Sequence, residues 1–152
     1  MPAAEINAYL THHVPLVRAM HVRVSSFDAR GVTLSAPLAP NINDKGTAFG
    51  GALASILSLS GWALCYLLLE ERSVEADLVI AESAIQYHKP VHEHITAICP
   101  MPEVAAVEDF FNSLSDLGKA SWVLNAEVKT GGETNVTFRG RYAAIRPAGV
   151  LP

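Results

Sequence analysis

The sequence contains few charged residues and few cysteines. Of its 152 residues, 17% are charged, two are cysteine, and the net charge is -4. Lys and Arg do not cluster, which argues against a nucleic-acid binder because such proteins need a basic face. Cys65 and Cys99 have no metal-binding or redox spacing, and two cysteines are too few for a disulfide framework. We therefore expect a reducing compartment, with Cys65 as a small buried hydrophobe.

The sequence also lacks the features of a secretory signal. The first ten residues, MPAAEINAYL, contain neither its basic region nor its apolar region, so we expect a cytoplasmic protein. Half of the residues are hydrophobic, and a chain of this length typically forms one compact domain. We therefore predict a single domain over residues 1–152.

The order of the predicted elements indicates an α+β fold. A short helix is followed by two strands, a long apolar helix and four strands with one further short helix among them. The predicted helices lie at 2–14, 47–69 and 101–119, and the strands at 20–27, 31–38, 75–91 (stopping at Pro90), 94–100 and, around a Gly131–Gly132 turn, within 121–145. In the last two strands, one face carries Trp122, Leu124, Ala126 and Val128, and another carries Val136, Phe138 and Tyr142. Runs of strands with few helices are typical of an antiparallel sheet that covers a helix.

Residues 47–69 form an uncharged run that fits either a membrane span or a buried helix. At about 1.5 Å per residue, the run exceeds the roughly 30 Å hydrocarbon core of a bilayer. Gly46 and Gly50 also give the G-x-x-x-G spacing of packed transmembrane helices. The run is nevertheless rich in Ala, Gly and Ser, and the apolar faces of the predicted strands need a cover. We favour a buried core helix and expect no membrane association.

The segment GTAFGGAL, at the start of this run, matches neither the Walker pattern nor the Rossmann glycine pattern. Two glycines in the first helical turn leave backbone N–H groups unshielded by side chains. These groups have no intrahelical acceptor, and the helix dipole makes them attractive to developing negative charge. The residues alone leave an alternative open, in which Gly50 and Gly51 merely let a strand pass close.

Residues 41–51 resemble a motif of hotdog-fold thioesterases. Many acyl-CoA thioesterases of this fold carry N-x-x-G-x-x-H-G-G at the start of their central helix. The positions in register here are Asn43, Gly46, Gly50 and Gly51. Phe49 stands in place of the histidine. The longer string N-x-N-D-K-G-T-A-F-G-G, with Tyr87-x-x-Pro90 further along, is similar to a narrower group, the thioesterases related to the C-terminal domain of YiiD.

This resemblance implies a hotdog fold, in which an antiparallel β-sheet wraps around one long central helix. It also implies hydrolysis of an acyl-CoA or acyl-carrier-protein thioester by a homodimer or a dimer of dimers, without a cofactor or metal. The Gly50 N–H would donate to the thioester oxygen as an oxyanion donor. Asn43 would orient the water or the carbonyl, with a turn residue that satisfies its own backbone as the alternative. The substrate-binding positions that the resemblance implies are Thr47, Phe49, Gly51 and Tyr87.

The carboxylate that the family carries on this helix falls on Ser58, which is a departure from the pattern. A neutral hydroxyl cannot take a proton from water near pH 7 as a carboxylate can. Ser58 could hold a water or could be a small buried residue. Asp44 in the loop and Glu82 on the following strand are the replacement bases that we consider. The alternatives are a loop or cap residue for Asp44 and a solvated strand residue for Glu82. The alternative function is a non-catalytic hotdog protein that binds acyl groups.

Other candidate sites carry weaker signals. The segment HKPVHEH could place His88, His92 and His94 on one side of a strand as zinc ligands, but Pro90 interrupts the strand, and we expect no metal. Two basic residues, Lys89 and Arg141, could meet the phosphates of coenzyme A, or could be solvated surface. The apolar residues Phe110, Phe111 and Leu114 on the short helix indicate packing, with a lid over an acyl tunnel as a further possibility.

Overall fold

One antiparallel sheet wraps around one long helix in the computed structural model, which describes residues 3–148. The elements are α1 (Ala3–His13), α2 (Pro15–Met20), β1 (Arg23–Asp28), β2 (Gly31–Ala36), α3 (Gly50–Glu71), β3 (Asp77–Tyr87), β4 (Ile95–Pro100), α4 (Val104–Leu117), β5 (Lys119–Thr130) and β6 (Glu133–Ile145). A short 3-10 turn covers Ala39–Asn41. The six strands lie in the order β1-β2-β4-β5-β6-β3. The predicted α+β class is therefore confirmed.

The helix α3 is the core of this fold. Its length and apolar composition would fit a membrane span, but 67% of its most apolar stretch is buried inside the molecule. It packs against strands β2 to β6, and Ile56, Leu57 and Leu64 on it are completely buried. The expected core helix is thus observed, because the sheet supplies the cover that an all-apolar helix needs.

The helix α3 approaches the sheet closely at Gly61. A Cβ atom at this position would lie 2.3 Å from the Tyr142 ring of β6. The Tyr142 hydroxyl donates a hydrogen bond to the Ser58 carbonyl oxygen at 2.7 Å. Only a glycine lets the ring reach the helix backbone, so this contact fixes α3 against β6.

The inward faces predicted for the last two strands are confirmed. On β5, Leu124, Ala126 and Val128 are buried and Trp122 is partly buried. On β6, the buried residues include Val136, Phe138 and Tyr142. The aromatic residues of α4 complete this side of the core, since Phe110 stacks on Trp122 with ring centroids 4.1 Å apart.

The N-terminal region differs from the prediction in one element. The strand predicted from Met20 begins only at Arg23, because Pro15–Met20 forms the helix α2 with Pro15 in its first turn. Met20, Val22 and Val24 are buried as the alternation predicted, although Met20 ends α2, Val22 lies in the connection and only Val24 belongs to β1. The first helix was predicted from residue 2, which lies outside the described residues.

The strand β3 forms one edge of the sheet, and most of its side chains are exposed. It ends at Tyr87, earlier than the predicted stop at Pro90. Val79 and Ile80 are 49% and 41% exposed. An exposed edge with apolar side chains is a ready surface for pairing with another strand.

Candidate active site

The loop before α3 is organised by the side chain of Asn43. The amide nitrogen of Asn43 donates to Thr47 Oγ1 at 2.7 Å. The amide oxygen accepts from the backbone N–H groups of Lys45 at 2.8 Å and Thr47 at 3.1 Å. Gly46, with a φ of +79°, provides the left-handed backbone conformation that this tight loop requires. The structure therefore uses Asn43 to hold the loop, as in the turn alternative.

Two backbone hydrogen bonds then fix the chain where it enters α3. The Ala48 N–H donates to the Val91 carbonyl oxygen at 2.8 Å, and the Phe49 N–H donates to the Asn41 carbonyl oxygen at 2.7 Å. The loop is thus attached on both sides immediately before the helix begins. This attachment sets the direction of the first helical turn.

The first turn of α3 presents unpaired backbone donors. Phe49 occupies the N-cap position without a side-chain capping bond. Within residues 3–148, the N–H groups of Gly50, Gly51 and Ala52 have no hydrogen-bond acceptor, and the first such bond of the helix runs from Leu53 to Phe49. The helix dipole adds partial positive charge at this end. These N–H groups can therefore stabilise negative charge on an oxygen.

Two aromatic side chains surround this first turn. The Tyr87 hydroxyl donates to the Gly50 carbonyl oxygen at 2.9 Å. The Phe49 ring lies over Gly51, since a Cβ atom at Gly51 would be 2.5 Å from a ring carbon. Phe49 is 56% exposed, so the ring also faces outward. The structure thus brings Gly50, Gly51, Phe49 and Tyr87 together.

Two cavities of about 410 Å³ each lie along one flank of α3. The front cavity, at the start of the helix, is lined by Leu16, Met20, Pro40, Asn41, Ile42, Phe49, Gly51, Ala52 and Ser55. The rear cavity, further along the helix, is lined by Val14, Leu16, Val17, Met20, Val22, Ala54, Ser55, Ser58, Leu59, Trp62, Ile80 and Tyr142. The unpaired donors of the first turn are therefore next to a concave, mainly apolar surface.

The candidate bases do not meet at this turn. Ser58 lies in the rear cavity. Asp44 is exposed and pairs with Lys45 at 3.3 Å, while Glu82 on β3 pairs with Arg141 at 3.0 Å. In the part of the chain that the structure describes, no carboxylate lines the front or the rear cavity.

Asn41 is a site residue to which the sequence assigned no role. It is 3% exposed, and its amide nitrogen donates to the carbonyl oxygens of Met20 at 2.9 Å and Pro37 at 2.8 Å. These two acceptors fix the orientation of the amide. Its amide oxygen is buried without a partner. The side chain thus ties α2 to the loop before α3, and the only sequence signal was a second asparagine two residues before Asn43.

The remaining candidates have local partners. The His88 ring contacts Thr137 Oγ1 at 2.8 Å, and Lys89 pairs with Glu133 at 2.9 Å. Among residues 3–148, no group of three His, Cys, Asp or Glu side chains is arranged to hold a metal ion. The aromatic residues Phe110 and Phe111 are buried core residues and line neither cavity beside α3.

The two cysteines are buried thiols. Burial raises the pKa of Cys65 to about 12 from an ordinary value of 9.0, although the Trp122 indole N–H donates to its sulfur at 3.2 Å. Burial likewise raises the pKa of Cys99 to about 12. Both thiols therefore stay protonated at neutral pH and are poor nucleophiles.

The architecture defines the class of the protein: a sheet wrapped around one central helix, with a glycine pair at the helix start, is the hotdog fold. The family model described as "Putative thioesterase (yiiD_Cterm)" matches residues 3–146, and the chain belongs to this family.

Solved structures of other proteins share this fold. A protein of unknown function from Chlorobaculum tepidum is 30% identical, with a TM-score of 0.90 over 95% of this chain and 94% of that one. A "putative thioesterase" from Shewanella oneidensis is 27% identical, with a TM-score of 0.81 over 95% and 97% of the two chains. A thioesterase from Haemophilus influenzae, 15% identical, shares the fold with a TM-score of 0.67 over 96% and 92%.

Proposed function

We propose that this protein hydrolyses acyl thioesters at the start of α3. The observation that carries the proposal is the set of unpaired N–H groups on Gly50, Gly51 and Ala52. Gly51 and Ala52 are among the residues that line the front cavity, and Gly50 directly precedes them. Donors that are fixed before negative charge develops stabilise the transition state of acyl transfer. Membership of a family described as thioesterases supports the same reaction.

In the proposed reaction, the thioester oxygen accepts a hydrogen bond from the Gly50 N–H. A water oxygen attacks the carbonyl carbon, and the intermediate collapses with cleavage of the carbon–sulfur bond. The products are a carboxylic acid and a thiol, whose sulfur receives a proton that came from the water. Asn43 holds the loop that orients Gly50. Asp44, which is exposed in the same loop and pairs with Lys45, is the proposed base, although it lines neither cavity.

The proposed substrate is a thioester of coenzyme A or acyl carrier protein, in the cytoplasm.

The proposed assembly is a homodimer, or a dimer of dimers, in which the β3 edges of two copies pair. The exposed Val79 and Ile80 on this edge support that pairing. Val79→Lys should give monomers in sedimentation analysis, whereas Val104→Lys on the exposed face of α4 should not. Dimers of Val79→Lys that are as stable as wild type would contradict pairing at this edge.

A second function is favoured by one specific observation. No carboxylate lines either cavity within residues 3–148, so a protein that binds acyl thioesters without turnover is the rival proposal. The donors of the α3 start would then hold the carbonyl oxygen in the ground state only. The two functions differ in thiol release and agree in binding.

The experiment is a panel of acyl-CoA and acyl-carrier-protein thioesters, with thiol release and binding measured separately. We expect turnover by wild type, a large loss in Asp44→Asn, and a loss in Asn43→Ala because the loop loosens. Asn112→Ala, on the exposed face of α4, is the matched control and should keep wild-type rates. Binding without thiol release on every substrate would replace the hydrolase with the binding protein.

A further inference from the structure

We propose that the front and rear cavities form one groove that binds the acyl chain of the substrate, with Trp62 as its far end. The inference rests on the proposed function, because it places the thioester at the start of α3. Three residues, Leu16, Met20 and Ser55, line both cavities. The cavities are therefore neighbours, and a chain that enters at Gly51 can continue along the helix.

The wall of this groove suits an aliphatic chain. Within the described residues, no Asp, Glu, Lys, Arg or His side chain lines it. The Ser55 hydroxyl donates to the Gly51 carbonyl oxygen at 2.8 Å, and the Tyr142 hydroxyl donates to the Ser58 carbonyl oxygen at 2.7 Å. These two hydroxyl groups already have acceptors, so an alkyl chain can cover them without leaving either donor unpaired.

The length of the groove sets the length of the chain. Gly51 and Trp62 are eleven residues apart on α3, which corresponds to about 16 Å at a rise of about 1.5 Å per residue. An extended alkyl chain advances about 1.25 Å per carbon, given carbon–carbon bonds of about 1.5 Å and angles of about 111°. The groove therefore accommodates about thirteen carbons on the same geometry.

An aromatic stack closes the far end. Trp62 is the last α3 residue that lines the rear cavity. Its ring stacks on Tyr66 with centroids 5.0 Å apart, and Tyr66 stacks on Tyr9 of α1 at 5.1 Å. Tyr9 also stacks on Trp62 with centroids 6.5 Å apart. The stack therefore joins α1 to α3, and the Trp62 ring is held by two partners and limits the chain.

The position of Ser58 follows from the same geometry. Ser58 lines the rear cavity beside Leu59 and Trp62. A carboxylate at this place would be ionised next to the acyl chain, and the loss of hydration would be unfavourable. Ser58 is thus a small residue that leaves room for the chain, and it takes no part in the proton transfer.

The test is the dependence of kcat/KM on chain length, from butanoyl-CoA to hexadecanoyl-CoA. For wild type we expect kcat/KM to rise about twofold to fourfold per added methylene and to reach a plateau at about thirteen carbons. Ser58→Leu should lower the chain length at which kcat/KM reaches its plateau, and Ala54→Leu should lower it further. Trp62→Ala should raise this chain length. Ser115→Leu, on the exposed face of α4, is the matched control and should keep the wild-type profile.

The outcomes separate this inference from the proposed function. Hydrolysis with a profile that neither Ser58→Leu nor Ala54→Leu alters, while thermal unfolding shows folded variants, would overturn the groove and leave the hydrolase. If no substrate is hydrolysed, calorimetric binding of the same acyl-CoA series decides. The groove is supported if affinity increases with chain length and Ser58→Leu lowers the chain length at which this increase stops. Affinity that is independent of chain length overturns the groove. If Leu16→Asp yields monomers whose chain-length profile is unchanged, the groove is part of the dimer interface and does not bind the acyl chain.

Discussion

Replacing Gly50 with proline should remove one backbone donor and leave the fold intact. Gly50 is the first residue of α3, where proline is favoured because its missing N–H has no intrahelical partner. Phe49, with φ -65° and ψ 133°, already has the extended conformation that the residue before a proline requires. A Cβ atom at Gly50 would be 3.5 Å from its nearest neighbour, the Tyr87 hydroxyl oxygen, an ordinary contact.

The expected loss of activity follows from the proposed role of this N–H. Removing one oxyanion donor typically lowers kcat about a hundredfold to a thousandfold, or roughly 3 to 4 kcal/mol. The free energy of unfolding should change by no more than about 1 kcal/mol, since no hydrogen bond is lost and the unfolded chain is restricted. Thiol release from an acyl-CoA and urea unfolding measure the two quantities.

The control for this variant is Gly50→Ala, which adds a side chain but keeps the N–H. It should retain most of the wild-type kcat. Wild-type activity in Gly50→Pro would refute the role of the Gly50 donor. An equal loss in both variants would show that the added side chain, and not the missing N–H, causes the defect.

Three further predictions concern stability and use denaturant unfolding. Gly61→Ala should lose about 1 to 3 kcal/mol or more, because its Cβ atom would lie 2.3 Å from the Tyr142 ring; unchanged stability would contradict the close contact. Asn41→Ala should lose about 1 to 3 kcal/mol, since two buried carbonyl oxygens lose their donor; a stabilised variant would show that the unpaired amide oxygen matters more. Above pH 9, stability should fall, because Cys65 and Cys99 keep their protons in the folded state up to a pKa of about 12 while the unfolded thiols ionise near their ordinary value of 9.0. The slope is up to about 1.4 kcal/mol per pH unit for each thiol, and Cys65→Ala should make it shallower; equal slopes would contradict the raised pKa.

The central helix and the sheet were accessible from the sequence because their patterns are long. An uncharged run of more than twenty residues and strands with alternating apolar faces can bury their apolar surfaces in only a few arrangements of helix and sheet. The helix α2 was missed for a physical reason. Met20 ends that helix and Val22 and Val24 follow, so buried residues alternate across the boundary as they would in one continuous strand.

The candidate site could be predicted only in part. Gly50 and Gly51 were found through the resemblance of a local motif, and the structure places both in the first turn of α3 with Tyr87 beside them. The hydrogen bonds of the Asn43 side chain with Lys45 and Thr47 depend on the exact path of the loop, which residue types alone do not give. The groove could not be predicted because its lining comes from α2, the loop before α3, α3, β3 and β6, which meet only after folding.

The most direct test of the account is a crystal structure of the protein with a non-hydrolysable acyl-CoA analogue, in which a methylene group replaces the thioester sulfur. We predict that the ketone oxygen lies about 2.7 to 3.1 Å from the Gly50 nitrogen, with the alkyl chain running towards Trp62. An analogue whose carbonyl lies away from the first turn of α3 would contradict the account.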